Sequence, residues 1–304
     1  MIVDLRNNGG GYFHIAIKLV NEFFDDQRIV VYTQGAHEER VDYFSDGNGN
    51  YTQGGLAILV NEATASASEV VAGAVQDWER GILIGRRTYG KATVQELFDF
   101  SDGSRINLSI ARYYTPLGRS IQRSYLPNWA DISAQRPFTE QLWSLDTTYH
   151  QSMPVETASG RVLYSAGGIV PDVRVPIDSN ATSILYQQLA KSNLVEQFVY
   201  GRFSQKLPAY SIENFLHGYT LPDTEYEAFM EFLAGHGLEV SQRKQKDLHE
   251  LIQSDIEALL GRFYFGREAY FKVKNRDDDF VEQALLALGV KSEEADAQQQ
   301  EDNR

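Results

Sequence analysis

Residues 56–61, LAILVN, are apolar at five consecutive positions, and a helical pattern begins only six residues later. A strand with so little polar surface has no face to give to water and fits the centre of a sheet covered on both sides. The helical pattern is Ala67, Val70, Val71, Ala74, Val75 and Trp78. These fall at i, i+3, i+4, i+7, i+8 and i+11, one continuous stripe of an α-helix. A second strand, ILIG at residues 82–85, follows Gly81, which is read as the end of the helix. Strand, helix and strand in this order predict a parallel βαβ unit. The pattern extends in both directions. An apolar run at residues 2–5 leads into NNGGG at 7–11, a turn that glycine makes at little cost. Phe13, Ala16, Ile17, Val20 and Phe24 then recur at helical spacing, and RIVVYTQG at 28–35 reads as a strand. TVQELFDF and RINLSIARYY read as the arms of a hairpin turning at Asp102 and Gly103. Alternation predicts that Ile106, Leu108 and Ile110 face the core. Residues 1–122 are therefore α/β.

Beyond this the texture changes. Residues 123–160 lack periodicity, hold Pro127, Pro137 and Pro154, and read as a loop-rich insertion. GGIVPDVRVP at 167–176 returns as a short edge strand with prolines at its margins. From residue 181 the pattern is helical. The expected organisation is a core over 1–180, a helical region over 181–290 and a disordered acidic tail over 291–304.

Composition removes several classes of function. The formal charge of −14 opposes nucleic acid binding, which requires a basic face. Without a cysteine there is no disulfide, thiolate metal site or cysteine nucleophile. The six histidines are scattered, with no i, i+4 pair, so no metal site is expected. No phosphate-binding or dinucleotide fingerprint is present, and no cofactor is expected. DGNGN at 46–50 begins like a calcium loop, but Tyr51 and Ala57 stand where its glycine and bidentate glutamate belong. SQRK at 241–244 matches S-x-x-K, without the companion motifs of that enzyme class, and reads as solvated surface. No apolar run is long enough to span a membrane, and residue 1 does not open a signal peptide. The chain starts in mid-pattern, at a strand of central character, which predicts a longer parent polypeptide.

Two serines, Ser66 and Ser68, stand where the apolar strand hands over to the helix. Either can be a helix cap, the commonest use of serine at such a position. Either can instead be a nucleophile, since the start of a helix offers free N–H groups to a developing oxyanion. A nucleophilic serine requires a base. Lys91, after Gly90 and among apolar and aromatic neighbours, can serve if burial disfavours its charged form. The rate would then rise with pH through a depressed lysine pKa. Gln95, four residues on in an extended segment, lies on the same face and can hold the amine. The turn at Gly9, Gly10 and Gly11 can bring another N–H close, because no side chain obstructs it.

VDLRNNGGG, LVNEATASASEVVAGAVQD, GRRTYGKATVQ, DGSRINLSIARYYTPLGRSIQ and GGIVPDVRVP occur in this order. Together they closely resemble the carboxyl-terminal processing (tail-specific) proteases, most of all members from Bacteroidetes-type bacteria. The resemblance covers about residues 1–180. It implies a crotonase/ClpP-like core of mixed strands and helices, followed here by an all-helical region. It also implies a serine–lysine dyad with Ser66 as nucleophile and Lys91 as general base, and Gln95 orienting the lysine. The oxyanion hole it implies consists of the Ala67 amide and that of Gly10 or Gly11. Protein tails are the implied substrates, captured in the family by a PDZ domain that would precede residue 1. ATVQ stands where many members have GSVQ. The periplasm or cell envelope is the implied location, and a homo-oligomer is allowed. Two other readings share the motifs: a non-catalytic peptide-binding scaffold, and a crotonase-like acyl-transfer enzyme, for which no coenzyme A signal is present.

Overall fold

The computed structural model describes residues 1–123, 154–165, 167–178, 183–204 and 211–290. The described residues fall into two compact units, one from within 1–176 together with 280–290, the other from within 177–279. Most of the expected insertion and the whole tail at 291–304 lie outside the described residues.

In the first unit, β1 (Ile2–Asp4), β4 (Ala57–Val60), β5 (Ile82–Gly85) and β10 (Val173–Arg174) form a sheet in the order β1-β4-β5-β10, parallel throughout. The apolar strand is one of its two central members, and all four of its residues are buried. Their alternation divides two cores. Ile58 and Val60 join the cluster built on the helices α1 (Phe13–Asn21) and α2 (Ala67–Asp77), whereas Ala57 and Leu59 face a second cluster with Ile84, Val175, Phe280 and Ala284. Phe280 and Ala284 belong to the helix Asp279–Ala287. The helical region expected over 181–290 is thus divided: its last helix packs in the first unit, and residues 177–279 form the second.

A second sheet, in the order β3-β2-β7-β6, is antiparallel and comprises β2 (Ile29–Gln34), β3 (Val41–Phe44), β6 (Thr93–Asp99) and β7 (Arg105–Tyr114). The expected hairpin is present, with Phe98 opposite Ile106 and Gly103 at φ +84° in its turn. The expected burial of its inner face is not. Ile106 is 39% and Leu108 44% exposed, and only Tyr113 at the other end of β7 is in the core. Alternation places residues on one face; it does not supply a partner for that face. Two elements were missed: the short strand β3, and a hairpin whose first strand, β8 (Pro154–Glu156), lies inside the stretch read as loop and whose second, β9 (Val162–Tyr164), lies just past it. Each strand has three or four residues, too few for a period to show.

All eleven residues of α2 are buried, including the polar Glu69, Gln76 and Asp77. The helix ends at Trp78, with Glu79 at φ +54°, four residues after Ala74 and ahead of Gly81. Asp77 Oδ1 accepts from Arg119 Nε at 2.9 Å and Nη2 at 2.5 Å, and its Oδ2 accepts from the Leu117 N–H at 2.8 Å. Gln76 Oε1 accepts from the same guanidinium at 2.9 Å. The pair is 0% and 2% exposed, so removing the carboxylate strands a buried cation. We expect Asp77→Ala to lower unfolding free energy by about 3–5 kcal/mol in urea titration. A loss below about 1 kcal/mol would contradict a buried, mutually dependent pair.

Residues 177–279 are helical where described: Ile184–Ser192, Leu194–Phe203, Ile212–Gly218, Asp223–Gly235, Gln242–Asp247, His249–Phe265 and Arg267–Lys274. Their core is aromatic, with Phe198 edge-on to Phe229 at 5.0 Å and Phe215 stacked on Tyr219 at 4.8 Å. Ser241, Gln242, Arg243 and Lys244, the S-x-x-K match, are exposed as expected.

Candidate active site

The parallel strands β1 and β4 both end at the site. After β1 the chain enters the glycine turn, and after β4 it enters the turn to α2. The outer margin of the carboxyl ends is the usual place for a site in such a sheet. The two turns are locked together. Asn7, at φ +57°, donates its N–H to Asn61 Oδ1 at 2.9 Å, and Asn61 Nδ2 donates to Asn7 Oδ1 at 3.0 Å. The Ala65 N–H donates to the Asn8 carbonyl at 3.0 Å. Thr64 Oγ1 donates to the Leu5 carbonyl at 2.8 Å.

This lock lays Gly10 against the start of α2. A methyl group at Gly10 would stand 2.6 Å from the Ala65 carbonyl oxygen, 2.7 Å from the Ala67 nitrogen and 2.9 Å from Ser66 Cβ. Gly10 is also at φ +91°, so both space and backbone demand glycine. Its N–H donates to Asn8 Oδ1 at 3.0 Å. Gly11 lines the cavity described below.

Ser66 is the N-cap of α2, but at φ +58° and ψ −120° instead of the extended values usual for a cap. A non-glycine residue holds such a conformation only where its surroundings over-determine it. Ser68 is different: it lies inside the helix and is 5% exposed. Ser66, Ala67, Gly11, Lys91 and Gln95 all line one cavity of about 500 Å³, and Ser68 does not. Tyr12, Phe13, Val41, Tyr43 and Tyr113 supply much of its apolar wall, and Glu38 and Glu39 stand at its lining too. Lys91 is half-buried and Gln95 is exposed, next to a register shift between Val94 and Gln95. The six residues that the resemblance assigns to the site are therefore near one another, five of them on the cavity and Gly10 against its serine.

Glu69 was not anticipated. It is 0% exposed, and its carboxylate collects four donors: the N–H groups of Ser66 and Lys91 at 2.9 Å each, that of Gly90 at 2.7 Å, and Thr88 Oγ1 at 2.6 Å. The S-x-x-E spacing from Ser66 is the signal that could have found it, because a glutamate three residues after a cap reaches back to the cap N–H. Here the same side chain also holds the lysine segment. Burial pushes its carboxyl up to about 7, against the four hydrogen bonds that favour the anion. In the unfolded chain Glu69 returns to its ordinary value, 4.5. Between these values the folded state holds a proton that the unfolded chain has released. Its contribution to stability is thus full below 4.5 and is lost as pH rises through about 7. Moving a carboxyl from 4.5 to about 7 corresponds to roughly 3 kcal/mol. We expect urea unfolding at pH 5 and pH 8 to show this decline in the wild type and its absence in Glu69→Gln. Parallel pH profiles for the two proteins would contradict the assignment.

Residues 1–129 match the model of peptidase family S41, and residues 185–266 match a family of unknown function, DUF8443. The chain is 41% identical over 125 residues to the chloroplastic C-terminal processing peptidase of Tetradesmus obliquus, covering 40% of this chain and 26% of that protein. It is 34% identical over 173 residues to the carboxyl-terminal-processing protease of Synechocystis sp., covering 55% and 39%. A solved photosystem II D1 C-terminal processing protease matches with a TM-score of 0.41 and 31% identity, over 57% of this chain and 34% of that one. The chain spans about a quarter to two fifths of the length of these curated relatives. Residues 1–129 are thus similar to peptidase family S41, and the matched relatives are carboxyl-terminal processing proteases.

Proposed function

We propose that this chain carries the catalytic centre of a serine endopeptidase that cuts protein substrates near their C-termini. The observation that carries the reading is Ser66, held at the N-terminus of α2 in a backbone conformation rare for serine, on the same cavity as Lys91.

In the mechanism that follows, Ser66 Oγ attacks the peptide carbonyl while the neutral Lys91 amine takes its proton. Gln95 orients the amine from the neighbouring strand. Negative charge gathers on the former carbonyl oxygen, faced by the Ala67 N–H at the helix start and by a glycine-turn N–H. Gly11 is favoured over Gly10 for that second donor, since the Gly10 N–H already serves Asn8. Collapse returns the proton from Lys91 to the leaving amine and leaves an acyl group on Ser66. Water then attacks the ester, Lys91 takes its proton and passes it to Ser66 Oγ as the acyl–oxygen bond breaks, which restores both groups. The apolar wall of the cavity suits uncharged side chains beside the scissile bond.

Among the described residues no helix is long and apolar enough to cross a membrane. We place the parent protein in a bacterial cell envelope, in keeping with its relatives among bacterial and chloroplastic processing proteases. The test is mass spectrometry of protein substrates incubated with the full-length protein. Removal of short C-terminal segments is expected. Cuts spread along the whole substrate would contradict tail specificity, and uncut substrates would contradict the peptidase reading.

A further inference from the structure

Ser66 and Lys91 sit on different segments, the start of α2 and the loop before β6, and a proton can pass between them only if the two backbones keep a fixed separation. Glu69 spans the two from one side, through their N–H groups. The other side is spanned by a residue from a third element. The Tyr113 hydroxyl, on β7, donates to the Ser66 carbonyl at 2.9 Å and is also in hydrogen-bond contact with the Lys91 carbonyl. A phenol has one proton, so it serves the two carbonyls in alternation. Its ring is 2% exposed and packs near Phe13, with centroids 6.4 Å apart. Its own N–H donates to the Ala92 carbonyl at 2.9 Å, tying β7 to the residue after Lys91.

Resting on the assignment of Ser66 and Lys91 above, we propose that Tyr113 is a positioning residue for the dyad. It sets the distance between nucleophile and base by holding both their carbonyls, and it helps keep Ser66 in its unusual backbone conformation. The orientation of the Ser66 carbonyl is what ψ describes, so a donor at that oxygen bears directly on the value of −120°. A hydroxyl that must donate to carbonyls has to stay protonated. Burial, with the Glu69 charge nearby, keeps Tyr113 well above the ordinary tyrosine range.

The experiment compares Tyr113→Phe with Tyr113→Leu and Ser66→Ala in the full-length protein, by steady-state peptide hydrolysis and thermal unfolding. Tyr113→Phe keeps the buried ring and loses only the oxygen. We expect kcat to fall about 10- to 100-fold, with KM within about threefold of the wild type. Its Tm should stay close to the wild-type value, whereas Tyr113→Leu should lower Tm as well. Full kcat in Tyr113→Phe beside an inactive Ser66→Ala overturns the positioning role and leaves the dyad intact. An unfolded Tyr113→Phe, or one changed only in KM, overturns it equally. An active Ser66→Ala overturns the dyad and the inference with it.

Discussion

Ser66→Ala is expected to lower kcat for peptide hydrolysis roughly 10⁴-fold or more, the scale seen when a nucleophile that works as a unit with its base is removed. The loss should leave KM little changed, because the cavity proposed to hold substrate keeps its other walls. The substitution removes one oxygen from a half-buried side chain, so stability should change little. Ser68→Ala is the control two residues away. Ser68 is buried within α2 and away from the cavity, and its replacement should leave kcat within about fivefold of the wild type. Equal losses in the two variants would place the effect in the helix and not in the hydroxyl.

Lys91→Ala is the second large effect, expected at roughly 10²- to 10⁴-fold in kcat, the usual scale for a positioned general base. No histidine lines the cavity among the described residues, so no other side chain of that type is at hand to take the serine proton. The lack of cysteine allows a sharper form of this experiment. Lys91→Cys creates the one thiol within these 304 residues, and alkylating it with bromoethylamine rebuilds a lysine-like amine there. We expect the alkylated variant to recover at least about tenfold of the lost kcat, as restoring a missing base should. Recovery with an uncharged reagent of similar size, or none with the amine, would contradict a role as base.

The apolar strand was legible as an unbroken apolar run, and the stripe after it as a helical period. Their placement then put Ser66 at a helix start without any tertiary information. Lys91 and Gln95 were legible through the motif resemblance more than through their own chemistry, since a lone lysine carries little signal. Glu69 and Tyr113 show what a linear reading loses. Each matters because one oxygen reaches two segments that are 25 residues apart in the chain, a relation that no local spacing encodes. The hairpin of β6 and β7 failed in the opposite way. Its alternation is real, but Ile106 and Leu108 stand exposed because burial depends on what covers a face. The helix Asp279–Ala287 falls within the region read as helical over 181–290 and was grouped there with its sequence neighbours. Phe280 and Ala284 instead pack with Leu59 and Ile84.

The most direct test of a nucleophilic Ser66 is to trap it. Full-length protein treated with a fluorophosphonate, digested and mapped by mass spectrometry should carry one adduct, on Ser66. Labelling should slow markedly in Lys91→Ala and in Tyr113→Phe. An adduct on Ser68 or elsewhere, or undiminished labelling of Ser66→Ala, would contradict the account.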